Sequence, residues 1–80
     1  METEIINGYK AVVRHIFKKE ELEVGSRWTA ADGSKGGVVV IRDIVKTEEL
    51  WWVQYGYHGS DTTYEKDHFS FQCRYCKIVE

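Results

Sequence analysis

The chain has 80 residues, of which 11 are Lys or Arg and 13 are Asp or Glu, giving a formal net charge of −2 at pH 7. This length fits a single domain spanning residues 1–80, and the charge balance lacks the basic excess of an extensive nucleic-acid interface. No apolar run approaches the length of a membrane span. The start, "METEIINGYK", lacks the basic and apolar regions of a signal peptide. We therefore expect a cytoplasmic protein without a membrane partner.

Residues 4–21, "EIINGYKAVVRHIFKKEE", carry apolar side chains at steps of three and four. This spacing predicts an N-terminal amphipathic helix with its charged residues on the exposed side. Gly8 is its weakest point, because glycine costs about 1 kcal/mol relative to alanine inside a helix. The alternative is a strand over residues 9–17, since Val, Ile and aromatic residues also favour strands.

Residues 23–79 alternate short runs of strand-forming residues with polar turns. "SRWTA" predicts a first strand, "GVVVIRDIV" a central strand with two apolar faces and "LWWVQYGY" a third strand. "TTYEK" predicts a fourth strand and "RYCKIVE" a last one. Between them, "DHFSFQC" predicts a helical turn capped by Asp67, with Phe69 and Phe71 in the core. Five short strands at this spacing are typical of a small, partly open barrel.

The order "VGSRWTA…GGVVVIRDI…LWWVQYGY…TTYEKDHFSFQCRY" resembles SH3-like barrels of the Tudor, chromo and KOW kind. Those families share a Gly-x-x-Trp entry (Gly25 and Trp28 here), a β-branched second strand, an aromatic third strand and a helical turn before strand five. The resemblance covers residues 23–79 and implies a five-stranded antiparallel barrel. With the predicted helix packed against it, the fold class would be α+β. The chain is also similar in style to small accessory proteins of bacteriophages and prophages.

Cys73 and Cys76 form a C-x-x-C pair, and His68 and His58 lie upstream. Structural zinc requires four such ligands, whereas Cys also packs as a small buried side chain. In a regular strand, the two cysteines would point to opposite faces. The pair also lacks the helix N-terminus of a thioredoxin-type dithiol. We therefore predict no metal site and no cofactor, and these four residues remain the candidates for metal ligation.

The sequence contains no recognisable catalytic motif. "DGSKGG" lacks the spacing of a phosphate-binding loop and precedes a strand instead of a helix. A β-barrel of this size also offers little concave volume for a substrate pocket. We predict that the protein is not an enzyme.

Aromatic side chains are the richest functional signal. Trp51 and Trp52 are adjacent in a predicted strand, so they cannot both face inward, and aromatic side chains dominate binding hot spots. A Tudor-like aromatic cage for a methylated cation is the sharpest form of this hypothesis, with Trp28, Tyr55 and Tyr57 as its rings. The simpler alternative is that the N-terminal helix covers these rings. The predicted partner-binding residues are Trp28, Trp51, Trp52, Tyr55, Tyr57 and Tyr64.

These features predict a non-enzymatic module that binds a protein partner through aromatic and charged residues. The phage-like style suggests a modulator or inhibitor of a host protein. The second hypothesis is a nucleic-acid-binding or transcription-associated KOW-like module, and the third is a small structural zinc protein. A nucleic-acid interface would use basic side chains beside exposed rings, and the candidates are Arg14, Lys18, Lys19, Arg27, Lys35 and Arg42.

Overall fold

The structure is a computed structural model that describes residues 1–34 and 37–79. Within these residues, seven strands, one short α-helix and a 3-10 turn follow each other. Within this described part, no helix has the length and apolar content needed to span a bilayer. The elements are β1 (Thr3–Ile6), β2 (Tyr9–Val12), the 3-10 turn (Lys19–Glu21), β3 (Arg27–Ala30), β4 (Val39–Lys46), β5 (Trp51–Tyr57), β6 (Tyr64–Asp67), α1 (His68–Arg74) and β7 (Tyr75–Lys77).

The N-terminal segment forms a β-hairpin, so the predicted helix over residues 4–21 and the α+β fold class are wrong. β1 and β2 pair antiparallel across a two-residue turn. The turn residues Asn7 and Gly8 have φ values of 52° and 85°. A turn with two consecutive positive φ angles matches the twist of a hairpin, and Asn-Gly is the pair that adopts it most readily. The alternative strand interpretation is confirmed only for β2, and the domain is mostly β.

β3 to β7 form a five-stranded antiparallel sheet in the order β6-β5-β4-β3-β7. The sheet curls into a half-barrel. β3, the first of the five strands in sequence, pairs with β7, the last. This arrangement is compatible with an SH3-like barrel. β3, β5 and β7 lie within the segments that the sequence predicted for them, whereas β4 and β6 each extend one residue beyond theirs, to Lys46 and Asp67.

A short helix precedes the last strand, as predicted. The Asp67 carboxylate caps it by accepting hydrogen bonds from the backbone N–H groups of Phe69 and Ser70. Phe71 is fully buried, which confirms its prediction as a core residue. Phe69 is 56% exposed, so its prediction as a core residue is wrong.

The hairpin is joined to the edge of the sheet. Ala11 of β2 bridges Ile78, and the N–H of Val79 donates to the carbonyl of Lys10 at 2.8 Å. At the turn, the Asn7 side-chain amide donates to Thr29 Oγ1 at 3.0 Å. The hairpin therefore covers the outer side of β3 and β7.

The core lies inside the curled sheet and contains Trp28, Val39, Ile41, Val53 and Phe71. It extends to the segment between β2 and β3, because Phe17 and Leu22 pack against it. The buried amide of Gln72 on α1 accepts from the Phe17 N–H at 2.7 Å and donates to the Phe17 carbonyl at 3.0 Å. An irregular segment without ladder partners is thereby anchored to the helix.

Candidate functional site

Four tyrosines meet at one end of the curled sheet, and we call them the tyrosine cluster: Tyr55, Tyr57, Tyr64 and Tyr75. The rings of Tyr55 and Tyr64 stack at 5.8 Å between centroids, and those of Tyr57 and Tyr64 meet at 6.2 Å with an interplanar angle of 86°. Tyr75 packs edge-on against Tyr55 at 5.4 Å. Tyr57 and Tyr64 are 39% and 45% exposed, so these two nearly perpendicular rings form an aromatic corner open to solvent.

The inner tyrosines form the floor of this corner. Tyr55 is 4% exposed, and Tyr75 is half-buried. Burial, followed by the neighbouring Tyr55 and Tyr57 hydroxyls, raises the pKa of Tyr75 well above its ordinary value. Burial also raises the pKa of Tyr55. The floor therefore presents neutral hydroxyl groups at physiological pH, each able to donate and accept a hydrogen bond.

A cavity of about 120 Å³ adjoins the cluster between the β3–β4 loop and the start of β7. Hydrogen bonds from Ser34 hold the pKa of the Asp32 carboxyl below its usual value, so this group is ionised. Arg74 adds a positive charge at the same cavity. One acid, one base and aromatic surface thus face a space suited to a single side chain. The residues that line it are Ala30, Asp32, Ser34, Gly37, Tyr57, Arg74 and Tyr75.

Arg42 holds the loop that connects the two exposed rings. The pairing of β4 with β5 shifts by one residue between Ile41 and Asp43, and Arg42 lies at this bulge. Its guanidinium donates to the carbonyls of Tyr57 at 3.1 Å and Thr62 at 3.2 Å. Further bonds go to Thr63 Oγ1 and the Ser60 carbonyl. One side chain therefore binds several points of the β5–β6 loop, in addition to the hydrogen bonds that the loop makes through His58, Ser60 and Thr62.

Gly56 makes room for that guanidinium. A Cβ at this position would lie 2.5 Å from Arg42 Cζ and 2.6 Å from the Thr62 carbonyl oxygen. Both distances are shorter than a Cβ tolerates. The absence of a side chain at residue 56 therefore allows Arg42 to reach the β5–β6 loop.

The tryptophans predicted as site residues lie away from the tyrosine cluster. Trp28 is 2% exposed and packs in the core, where its indole N–H donates to Ser26 Oγ at 2.9 Å. Trp51 and Trp52 are both half-buried, on opposite faces of β5. The Nζ atoms of Lys46 and Lys19 lie 4.6 and 5.3 Å from the Trp51 ring centroid. Of the six predicted residues, the structure brings together Tyr55, Tyr57 and Tyr64.

The metal candidates are dispersed. Cys73 and Cys76 are free thiols, the first exposed on α1 and the second half-buried on β7. Cys73 thus lies in the helical segment predicted from "DHFSFQC", and the case of both cysteines in one regular strand does not apply. His68 is on α1 beside the Trp51 carbonyl, and His58 is in the turn after β5. Among residues 1–34 and 37–79, no group of three His, Cys, Asp or Glu side chains is arranged to hold a metal ion.

The basic residues proposed for nucleic acid are also dispersed. Arg14 binds Glu2 and Glu4, and Arg42 is directed into the β5–β6 loop. Lys19 is on the 3-10 turn, and its Nζ atom lies over the Trp51 ring. Lys35 lies outside the described residues. Two of these cations therefore serve intramolecular contacts, and a third is partly covered by an aromatic ring.

The site also contains Tyr75, Asp32 and Arg74, which were not predicted as site residues. Arg42 was predicted only as part of a nucleic-acid patch. Tyr75 pairs with Ala30 only because the last strand returns to the first one of the sheet. The sequence signal that could have identified Tyr75 is the alternation in "RYCK", because in a strand Tyr75 and Cys76 point to opposite faces.

Comparisons with protein-family models, with curated proteins and with solved structures give no match for this chain.

Proposed function

We propose that the protein is a non-enzymatic binding module that recognises a protein partner at the tyrosine cluster. The observation that carries this proposal is the open corner between Tyr57 and Tyr64, backed by the buried Tyr55 and the half-buried Tyr75. Exposed aromatic rings held rigidly over a packed floor are the usual anchors of protein interfaces.

The partner's anchor in this proposal is a cationic side chain. A Lys or Arg placed in the corner would meet the faces of two aromatic rings, each of which attracts a cation. The ionised Asp32 would attract the same charge, while Arg74 and the tyrosine hydroxyls could bind backbone carbonyls of the partner. Rings and carboxylate thus favour a cationic anchor over an anionic one.

The resemblance to Tudor, chromo and KOW barrels supports the same class of function. A Tudor-like cage for a methylated cation would use the exposed rings of Tyr57 and Tyr64 here, with Asp32 as the acid, because Tyr55 is only 4% exposed. Trp28 is excluded from such a cage by its burial. Modulation of a host protein, as suggested by the phage-like style, stays a prediction from the sequence.

A peptide titration followed by amide NMR tests the proposal. The probes are short peptides that differ at one central residue: Lys, trimethylated Lys, Arg, Glu or Ala. We expect the cationic peptides alone to shift the amides of Tyr57, Tyr64 and Asp32. Tyr57→Ala or Tyr64→Ala should weaken binding by about 5- to 30-fold, because a cation–π contact contributes about 1–2 kcal/mol.

Phe69→Ala is the matched control, since it removes an exposed aromatic ring from α1. It should leave the affinity unchanged. Equal binding of all five peptides, or no binding of any, would contradict the proposal. If an oligonucleotide binds in a salt-sensitive way, and with the same affinity in the wild type and the tyrosine variants, the nucleic-acid hypothesis is favoured instead.

A further inference from the structure

β1 is an edge strand with a free row of backbone groups. Within the described part of the chain, it pairs with β2 alone. The carbonyl of Glu2 accepts from the Val13 N–H at 3.0 Å, so it points towards the β2 side. Because these directions alternate along a strand, Glu4 and Ile6 also point inward. The N–H and C=O groups of Thr3 and Ile5 therefore point away from the molecule.

The acidic charges beside this edge are partly neutralised within the chain, because one guanidinium binds two carboxylates. Arg14 donates from Nε to Glu2 and from Nη2 to Glu4, both at 2.7 Å. Its guanidinium thereby lowers the pKa of Glu2 through a hydrogen bond and its charge. Like charges on an edge strand normally oppose pairing with another chain. Here Arg14 reduces that opposition for two copies that approach with their β1 edges.

The same side of the molecule exposes apolar surface. Ile5 is 71% exposed at the centre of β1. A groove of about 700 Å³ begins beside Thr3, and the exposed side chains of Met1, Val24 and Val79 also line it. A second strand laid on this edge would meet both free hydrogen-bonding groups and apolar side chains.

We propose that two copies of this chain associate through antiparallel pairing of their β1 strands, with the two-fold axis at Ile5. In this register, each Ile5 exchanges both backbone hydrogen bonds with Ile5 of the second copy. Glu4 then lies opposite Ile6 of the second copy instead of another acid, and Thr3 lies opposite the turn residue Asn7, where the extended strand ends. The register is thus self-complementary in both hydrogen bonding and charge. It uses a surface distinct from the tyrosine cluster and does not depend on the proposed function.

Sedimentation and hydrogen exchange together test the dimer. The average mass should rise from 9.4 kDa towards twice that value between micromolar and millimolar protein. At high concentration, the amides of Thr3 and Ile5 should gain protection, whereas those of Glu4 and Ile6 should be protected at every concentration. This alternation is specific to strand pairing, since a contact through side chains alone would not produce it.

Two variants remove the pairing by different means. Ile5→Pro deletes an outward N–H that the hairpin does not use, and proline is tolerated at such edge positions. Ile5→Lys retains the N–H but places like charges across the axis. Both should stay monomeric at millimolar concentration, while Phe69→Ser, which removes a comparably exposed apolar side chain, should still dimerise. A wild-type protein that is monomeric at millimolar concentration would overturn the proposal, as would a dimer that survives both substitutions at Ile5.

Discussion

Gly56→Ala tests whether the contact between Gly56 and Arg42 determines the β5–β6 loop. The added Cβ would lie 2.5 Å from Arg42 Cζ, 2.7 Å from its Nη1 and 2.6 Å from the Thr62 carbonyl oxygen. A carbonyl oxygen in the backbone cannot move away as a flexible side chain can. We therefore expect the guanidinium to leave the loop and the backbone around Thr62 to shift.

The expected loss of stability follows from the bonds that Arg42 makes. It donates to four acceptors in the loop, three of them backbone carbonyls. Each bond contributes about 1 kcal/mol net, and water replaces part of them, so Gly56→Ala should cost about 2–4 kcal/mol. For a domain of this size, that corresponds to a fall in Tm of about 10–20 °C.

Urea and thermal unfolding followed by circular dichroism measure this loss, and a double-mutant cycle assigns its cause. In an Arg42→Ala background, Gly56→Ala should cost less than half as much, because both guanidinium atoms near the Cβ are gone and the Thr62 carbonyl, no longer bound by Arg42, can shift with its loop. Gly37→Ala is the matched control, since its Cβ would meet only the Tyr57 ring, at 3.1 Å. An unchanged Tm for Gly56→Ala, or costs that add fully in the cycle, would refute the reasoning.

Three further substitutions test single contacts. Gln72→Leu leaves the buried N–H and C=O of Phe17 without partners, so urea unfolding should show a loss of about 2–4 kcal/mol. Burial, with neighbouring hydroxyls, raises the pKa of Tyr75 above 10.0. Above that pH the folded state keeps a proton that the unfolded chain releases, so the free energy of unfolding should fall as the pH rises. In Tyr75→Phe this fall should be less steep. Asp67→Ala removes the helix cap and should cost about 1 kcal/mol at neutral pH. Because hydrogen bonds lower the pKa of Asp67 below 3.8, the difference between wild type and variant should disappear as the pH falls through the folded-state pKa.

Local sequence signals were sufficient to predict the sheet and the helix before its last strand. The β-branched run of β4 and the alternation in β5 reflect which faces of each strand are buried. Both patterns can be recognised within a few consecutive residues. The Asp67 cap is equally local, because its carboxylate binds N–H groups two and three residues away. No knowledge of the remaining fold was needed for these predictions.

The N-terminal prediction failed because two local signals disagreed. The apolar steps of three and four favoured a helix, whereas Asn7-Gly8 favoured a turn with positive φ angles. The supposed apolar stripe includes Ile5 and Ile16, both of which are exposed. A hairpin buries Ala11 and Val12 instead and supplies a bridge to Ile78, so pairing with the sheet outweighed helix propensity.

One of the four tyrosines in the cluster, Tyr75, could not be predicted, because its position depends on a contact between residues far apart in sequence. Tyr57 and Tyr64 flank one loop, so an exposed pair at that position was foreseeable from the turn between two strands. Tyr75 joins them only through the pairing of β7 with β3. Arg42 was assigned to a possible nucleic-acid patch, since nothing in the sequence reveals the bulge that directs it into the β5–β6 loop.

The tyrosine cluster is continuous with the hydrophobic core, and this continuity explains how so small a domain can hold rigid rings at its surface. The Phe71 ring contacts Trp28 at 5.1 Å on one side and Tyr55 at 5.0 Å on the other. Tyr55 in turn stacks on Tyr64, so core packing positions an exposed ring from below.

Arg42 fixes the same region from above by binding the loop between Tyr57 and Tyr64. The two supports are independent, because the core would remain if the loop were released. Loss of Arg42 should therefore increase the freedom of Tyr57 and its loop while Tyr64 keeps its stacking on Tyr55. The angle between the two exposed rings therefore depends on Arg42 more than on the core. In the proposed binding function, this angle would set the selectivity for a partner.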